Sequence, residues 1–135
     1  MTPNGAIRLV IVDDEPDIGL LLEAQFRLTG DVEVVGVAHE GGRAIELVRE
    51  NEPDAVVMDL LMPGVNGFQA IDVLQREFPA VGIVAYTGVA GDFVRDAMGK
   101  RGVEVVLKTG ALEPLADAVR RSVAAARGTS ASDRL

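Results

Sequence analysis

Ile7-Arg8-Leu9-Val10-Ile11-Val12-Asp13-Asp14-Glu15-Pro16 is the stretch on which the reading of this chain turns. Its first six residues are nearly all apolar and mostly β-branched. That run is too short for a helix and too continuous for a strand with one wet face, which is the pattern of a strand buried on both sides. Two acids follow at once, and Pro16 suits the first position of a helix, where its missing N–H is no loss. Strand, acidic turn and helix start therefore follow one another directly.

The same kind of run recurs at Ala55–Met58, at residues 81–86 and at residues 103–107. A fifth, Val32–Ala38, alternates less cleanly and carries Glu33, which suits an edge strand. Between them lie stretches with helical spacing. Ile18, Leu21, Leu22 and Phe26 mark the first helix, and residues 42–50 the second, whose signal is weakest. Phe68, Ile71, Leu74 and Phe78 mark the third; Val89, Phe93, Val94, Ala97 and Met98 the fourth; Leu112, Leu115, Ala116, Val119 and Val123 the last. Strand and helix alternate throughout. Parallel strands need crossover connections, so the prediction is an α/β fold, a doubly wound five-stranded parallel sheet with helices on both faces. The residues after Ala126, Arg-Gly-Thr-Ser-Ala-Ser-Asp-Arg-Leu, have linker composition, so one domain over residues 1–126 and a flexible tail or start of a linker over 127–135 are expected.

At 135 residues, 48% of them hydrophobic, the chain fits a single folded domain. No apolar run is long enough to span a bilayer, and the start of the sequence has no basic segment ahead of an apolar one. A cytoplasmic protein without a membrane partner is therefore expected. The absence of cysteine excludes disulfides, thiolate metal sites and cysteine nucleophiles. A net charge of −8 repels phosphate backbones, which disfavours direct nucleic-acid binding by this segment.

Doubly wound folds bind ligands beyond the carboxyl ends of their strands. Asp13 and Asp14 follow the first strand, Asp59 closes the third, Thr87 the fourth and Lys108 the fifth. Taken singly, each has a plain structural explanation: Asp14 or Glu15 capping the helix at Pro16, Asp59 forming a turn, Thr87 capping another helix, Lys108 standing in solvent. Together they make a different case. Three converging carboxylates repel unless positive charge sits among them, and Lys108 with a divalent cation supplies it. Hard oxygen donors suit Mg2+. An aspartate attacking a phosphoryl donor needs the charge on the transferring oxygens balanced, and Mg2+, Lys108 and the Thr87 hydroxyl can each take one oxygen.

This set resembles the receiver domain of response regulators. The likeness is carried by Asp13-Asp14, Asp59, Thr87 and Lys108, and by Asp59-Leu60-Leu61-Met62-Pro63-Gly64-Val65-Asn66-Gly67, which is similar to the family's D-x-x-M-P-x-x-x-G loop. The similarity runs over about residues 6–126. It implies the flavodoxin-like arrangement, strand order 2-1-3-4-5. It implies Asp59 as phosphoacceptor, Asp14, Asp59 and the Leu61 backbone carbonyl as Mg2+ ligands, Asp13 binding through water, Thr87 as switch hydroxyl and Lys108 as ion-pair partner of the phosphoryl group. It further implies a sensor histidine kinase as partner, a downstream target or fused output domain, a possible homodimer, and no enzymatic activity beyond self-phosphorylation and autodephosphorylation. The stretch Lys108-Thr109-Gly110-Ala111-Leu112-Glu113 is more like receivers that precede LuxR-type DNA-binding domains, which points to transcription regulation and to a stand-alone receiver or a piece of a longer protein.

Some positions depart from the pattern. Val105 stands where the family usually carries an aromatic, three residues before Lys108, so the switch here is read without that ring. Tyr86 is the single tyrosine, and strand alternation points it away from Thr87. Thr109 replaces the usual proline after Lys108; a cis bond there would cost roughly 2.5–4 kcal/mol, so a trans bond is predicted. Gly88 leaves the phosphoryl site open to small donors, and Leu61 and Val89 set apolar side chains where attacking water must pass, which predicts slow autodephosphorylation. His39 reads as a solvated loop residue, and Leu20 and Ala24 as an apolar patch on the first helix for a kinase to dock on. Arg95, Asp96, Lys100, Glu113, Asp117 and Arg120 could pair self-complementarily across a dimer. Two other readings are an aspartyl-phosphate hydrolase, which would want an acid at Leu61, and a receiver fold that no longer takes phosphate.

Overall fold

In the computed structural model, residues 5–62, 66–88 and 90–132 are described. The elements alternate along the chain: β1 (Ile7–Val12), α1 (Pro16–Thr29), β2 (Val32–Ala38), α2 (Gly41–Asn51), β3 (Ala55–Met58), α3 (Gly67–Glu77), β4 (Gly82–Thr87), α4 (Asp92–Lys100), β5 (Glu104–Leu107) and α5 (Leu112–Ser132). All strand pairs are parallel and the sheet order is β2-β1-β3-β4-β5. The doubly wound, flavodoxin-like arrangement expected from the sequence is the one observed, with β2 at an edge.

The continuous apolar runs follow from a sheet covered on both faces. Val10, Val12, Val56, Met58 and Ala85 face one core with Leu47, Val48, Ile71, Leu74 and Met98. Leu9, Ile11, Val57, Val84 and Tyr86 face the other with Leu22, Phe26, Leu115 and Val119. Each strand feeds alternate side chains to opposite cores, so the inner positions of β1, β3 and β4 are apolar or aromatic, and charge enters β1 only at Arg8 near its start.

Two expectations need correction. Leu21 is 51% exposed and Phe93 77% exposed, so neither lies on the buried stripe of its helix. On α1 the core takes Leu22 and Phe26, and on α4 Met98 is the fully buried residue. Phe93 instead tilts against Phe68 of α3, ring centroids 6.2 Å apart. Residues 127–132, which have linker composition, continue α5 as helix. Arg127 there is 3.7 Å from Asp54, an ion pair that the loss of apolar period could not disclose. Pro63, Gly64 and Val65 of the motif loop, Val89 and the end of the tail lie outside the described residues.

No peptide bond among the described residues is cis, so Lys108–Thr109 is trans as predicted. No described helix is long and apolar enough to cross a membrane.

Candidate functional site

The sheet delivers its polar residues by running its ladders one step past the strands. Asp59 N–H donates to the Val12 carbonyl at 2.9 Å, Asp13 N–H to Ala38 at 3.0 Å and Lys108 N–H to Thr87 at 2.9 Å. The last residue or first loop residue of neighbouring strands is thereby fixed at one edge, where strand ends present side chains to a shared crevice. Carboxylate oxygens of Asp13, Asp14 and Asp59 all lie within 4.8 Å of one another. Asp13 and Asp59 are buried, Asp59 only 4% exposed, and Thr87 is buried beside them on β4; Asp14 is the accessible acid of the three.

The capping explanation for the acids does not hold. Glu15 occupies the cap position of α1 and makes no side-chain cap bond. Asp13 Oδ1 accepts from the Glu15 N–H at 2.9 Å, which shapes the turn rather than the helix start. Thr87 is not the cap of α4 either, since that position is Gly91. Lys108 is not in solvent: its side chain is 17% exposed, with Nζ 2.6 Å from Asp13 Oδ2 and 3.4 Å from Asp59 Oδ2.

Asp59 is shaped from both sides. Burial, and then the Asp13 charge, push its carboxyl up to about 6, against the pull of the Lys108 ammonium and the Leu61 N–H. That N–H donates to Asp59 Oδ1 at 3.3 Å. Burial works to lower Lys108, but its contacts with Asp13 and then Asp59 outweigh it and hold the ammonium above its ordinary range. Asp13 Oδ2 is buried and receives no hydrogen bond beyond this ion pair among the described residues. A carboxylate oxygen with unused acceptor capacity, in a set of hard oxygen donors, is chemistry that fits a divalent cation.

The loop after Asp59 is anchored where it turns into α3. Asn66 and Gln69 form a reciprocal capping box, with Asn66 Oδ1 accepting from Gln69 N–H at 3.0 Å and Asn66 N–H donating to Gln69 Oε1 at 3.2 Å. Gly67 N–H donates to the Leu60 carbonyl at 3.2 Å, closing the loop onto the backbone that carries Asp59.

The model of the response regulator receiver domain matches residues 9–120 of the chain. This chain belongs to the response regulator receiver family. The receiver domain is 32% identical over 115 residues to the transcriptional regulatory protein LiaR of Bacillus subtilis (strain 168), covering 84% of this chain and 54% of LiaR. It is 40% identical over 80 residues to protein-glutamate methylesterase/protein-glutamine glutaminase 3 of Myxococcus xanthus (strain DK1622), covering 59% of this chain and 22% of that protein. The chain thus spans about half, or less, of the length of these curated relatives. Among solved structures, it is similar to the BeF3-activated N-terminal receiver domain of Klebsiella pneumoniae RstA, with a TM-score of 0.76, 29% identity and 86% and 97% of the two chains covered. The signal receiver domain of the putative response regulator NarL from Mycobacterium tuberculosis gives a TM-score of 0.77 at 26% identity, covering 91% and 98%.

Two contacts of this receiver domain escaped sequence reasoning. His39 is not free in its loop: its Nδ1 is 3.0 Å from the Asp13 carbonyl, close enough for a hydrogen bond. Lys108 Nζ lies 5.8 Å from the centroid of the Tyr86 ring, within cation–π range, although Tyr86 belongs to the opposite core from Thr87's side of β4. Alternation along one strand carries no signal for a contact made by a long side chain reaching over from the next.

Proposed function

We propose that this receiver takes a phosphoryl group onto Asp59 and signals through the change that follows. The observation that carries the reading is the convergence on Asp59, at the C-terminal end of β3, of the Asp13 and Asp14 carboxylates and the Lys108 ammonium. An Asp59 oxygen attacks the phosphorus of the donor, the new O–P bond forms, and the bond from phosphorus to the leaving nitrogen of a phosphohistidine kinase, or to the carboxylate oxygen of acetyl phosphate, breaks. Lys108 balances charge on one phosphoryl oxygen and the Thr87 hydroxyl donates to another. Asp14, Asp59 and the Leu61 carbonyl, with Asp13 through water, would hold Mg2+, which when bound offsets the negative charge gathered around the phosphorus. Leu61 is 60% exposed beside the site and would impede attacking water, in keeping with slow autodephosphorylation and with no further catalytic activity. It also leaves no acid two residues after Asp59, where an aspartyl-phosphate hydrolase would use one.

The partners follow from the same reading. Leu20, Leu21, Ala24 and Leu28 expose an apolar strip on α1 suited to a sensor histidine kinase. The tail from residue 127 onward serves as the start of a connector to an output domain, which in regulators named like LiaR points to transcription, so this segment itself need not touch nucleic acid. The protein works in the cytoplasm. A homodimer through α4 and α5 has fewer free charges than the sequence suggests, because Lys100 pairs with Asp96 and Arg120 with Asp31 and Asp117 in the same chain.

Incubation with acetyl phosphate and Mg2+, read by intact mass, tests the proposal. Wild type gains one phosphoryl group and Asp59→Asn gains none. No gain on wild type from either acetyl phosphate or a phosphorylated histidine kinase would favour the phosphate-independent receiver.

A further inference from the structure

Lys108 has two kinds of neighbour, and they differ in what else they are asked to do. Its polar neighbours are Asp13 Oδ2 at 2.6 Å and Asp59 Oδ2 at 3.4 Å, and both carboxylates belong to the acidic cluster suited to a cation. Once a cation and a phosphoryl group draw on those oxygens, the ammonium loses its hold on them. Among the described residues it also lies against the face of Tyr86, 5.8 Å from Nζ, a ring 6% exposed and packed into the core formed with α1 and α5. A ring quadrupole attracts an ammonium without offering it a proton acceptor and without competing for a metal. Four rotatable bonds separate the Lys108 ammonium from its backbone, so an uncontested anchor limits where the charge can wander.

We propose that Tyr86 is a positioning residue for Lys108, its ring face holding the ammonium at the phosphoryl site when the carboxylates are claimed by a cation. This rests on the receiver reading given above. The contribution belongs to the ring and not to the hydroxyl, so phenylalanine should replace Tyr86 and an aliphatic residue should not.

Two measurements test it. Lys100 and Lys108 are the two lysines of the chain, and Lys100 is exposed on α4, which supplies an internal reference. In the unphosphorylated full chain with Mg2+, proton NMR should place the Lys108 ε-methylene signal upfield of that of Lys100 through the ring current, an effect kept in Tyr86→Phe and lost in Tyr86→Leu. Labelling by acetyl phosphate should proceed in Tyr86→Phe within about twofold of wild type and in Tyr86→Leu about fivefold slower, the loss of a partly desolvated cation–π contact. Melting temperatures show whether both variants fold. An unshifted Lys108 signal in wild type, a Leu variant labelled as fast as wild type, or a Phe variant as slow as Leu would overturn the proposal. If Tyr86→Leu does not fold, the wild-type shift and the Phe variant still decide. A wild type that is never labelled overturns the phosphoryl-transfer reading and this role with it, whereas labelling unaffected by Leu overturns this role alone.

Discussion

Asp59 is a carboxylate kept under protest: burial and the Asp13 charge favour its protonated form, and Lys108 and the Leu61 N–H favour the ionised one. Its carboxyl sits at about 6 against an ordinary 3.8, so in the metal-free protein, between those two values of pH, the folded state retains a proton that the unfolded state has already released. The stability this lends is complete below about pH 4 and is lost as pH rises through 6, a difference on the order of 2 kcal/mol at neutral pH. Asp59→Asn removes the charge. With a chelator present it should melt roughly 5 °C above wild type at pH 7.5, a gain that shrinks as pH falls through 6 and disappears below 4. An Asn variant that melts with wild type at pH 7.5 would show that Lys108 already offsets the buried charge. The five polar residues of this site were legible in the sequence because each closes or follows a strand, and a parallel sheet brings its C-terminal ends together whatever the side chains. Tyr86 and His39 were not. Their contacts run from ring to ammonium and from ring to carbonyl between separate segments, and depend on side-chain reach that no spacing rule encodes.

The elements divide by how thoroughly they are buried. β1 and β3 fall where the apolar runs place them, since both strands are covered on both faces and are apolar apart from Arg8, which leaves sharp compositional edges. α4 is less legible because it buries little, and its aromatic residue serves a contact with Phe68 and not the core. α5 outlasts its apolar stripe because helix, once started, extends at small cost per residue and finds an ion pair at Arg127. The junction between β3 and α3 is tighter than either element. A Cβ built on Gly67 would come within 2.6 Å of the Leu60 Cα and still closer to the Asp59 carbonyl, both backbone atoms that cannot swing aside. Gly67→Ala should therefore displace the segment holding Asp59, lowering stability by about 1–3 kcal/mol and slowing labelling by acetyl phosphate. Asn66→Ala provides the comparison. It removes one side of the capping box, costing about 1 kcal/mol, while leaving the approach of Gly67 to Leu60 intact. Denaturant midpoints together with labelling rates separate the two, and a Gly67→Ala chain as stable and as quickly labelled as wild type would mean the loop yields without moving Asp59.

Across the whole molecule, negative charge is in excess by eight, and three of its acids meet at one sheet edge. Any salt relieves the diffuse repulsion of such a chain, because screening acts on all exposed charge at once. A cation held at the acidic cluster adds a separate contribution that grows as RT ln(1 + [L]/Kd), about 2.7 kcal/mol at a hundredfold excess over Kd. The two are told apart by holding ionic strength constant with NaCl while Mg2+ is raised. Under that condition the melting temperature of wild type should climb with Mg2+ along a saturable curve. Asp14→Asn removes the accessible acid without opening the core, and its curve should shift to higher Mg2+. Asp59→Asn should also respond weakly: it loses a carboxylate of the cluster and, beginning more stable, has less repulsion for a cation to relieve. A wild-type melting temperature that follows total ionic strength alone, identical in NaCl and MgCl2, would mean that the excess charge responds only as a diffuse field and that the three carboxylates do not act together as a metal site.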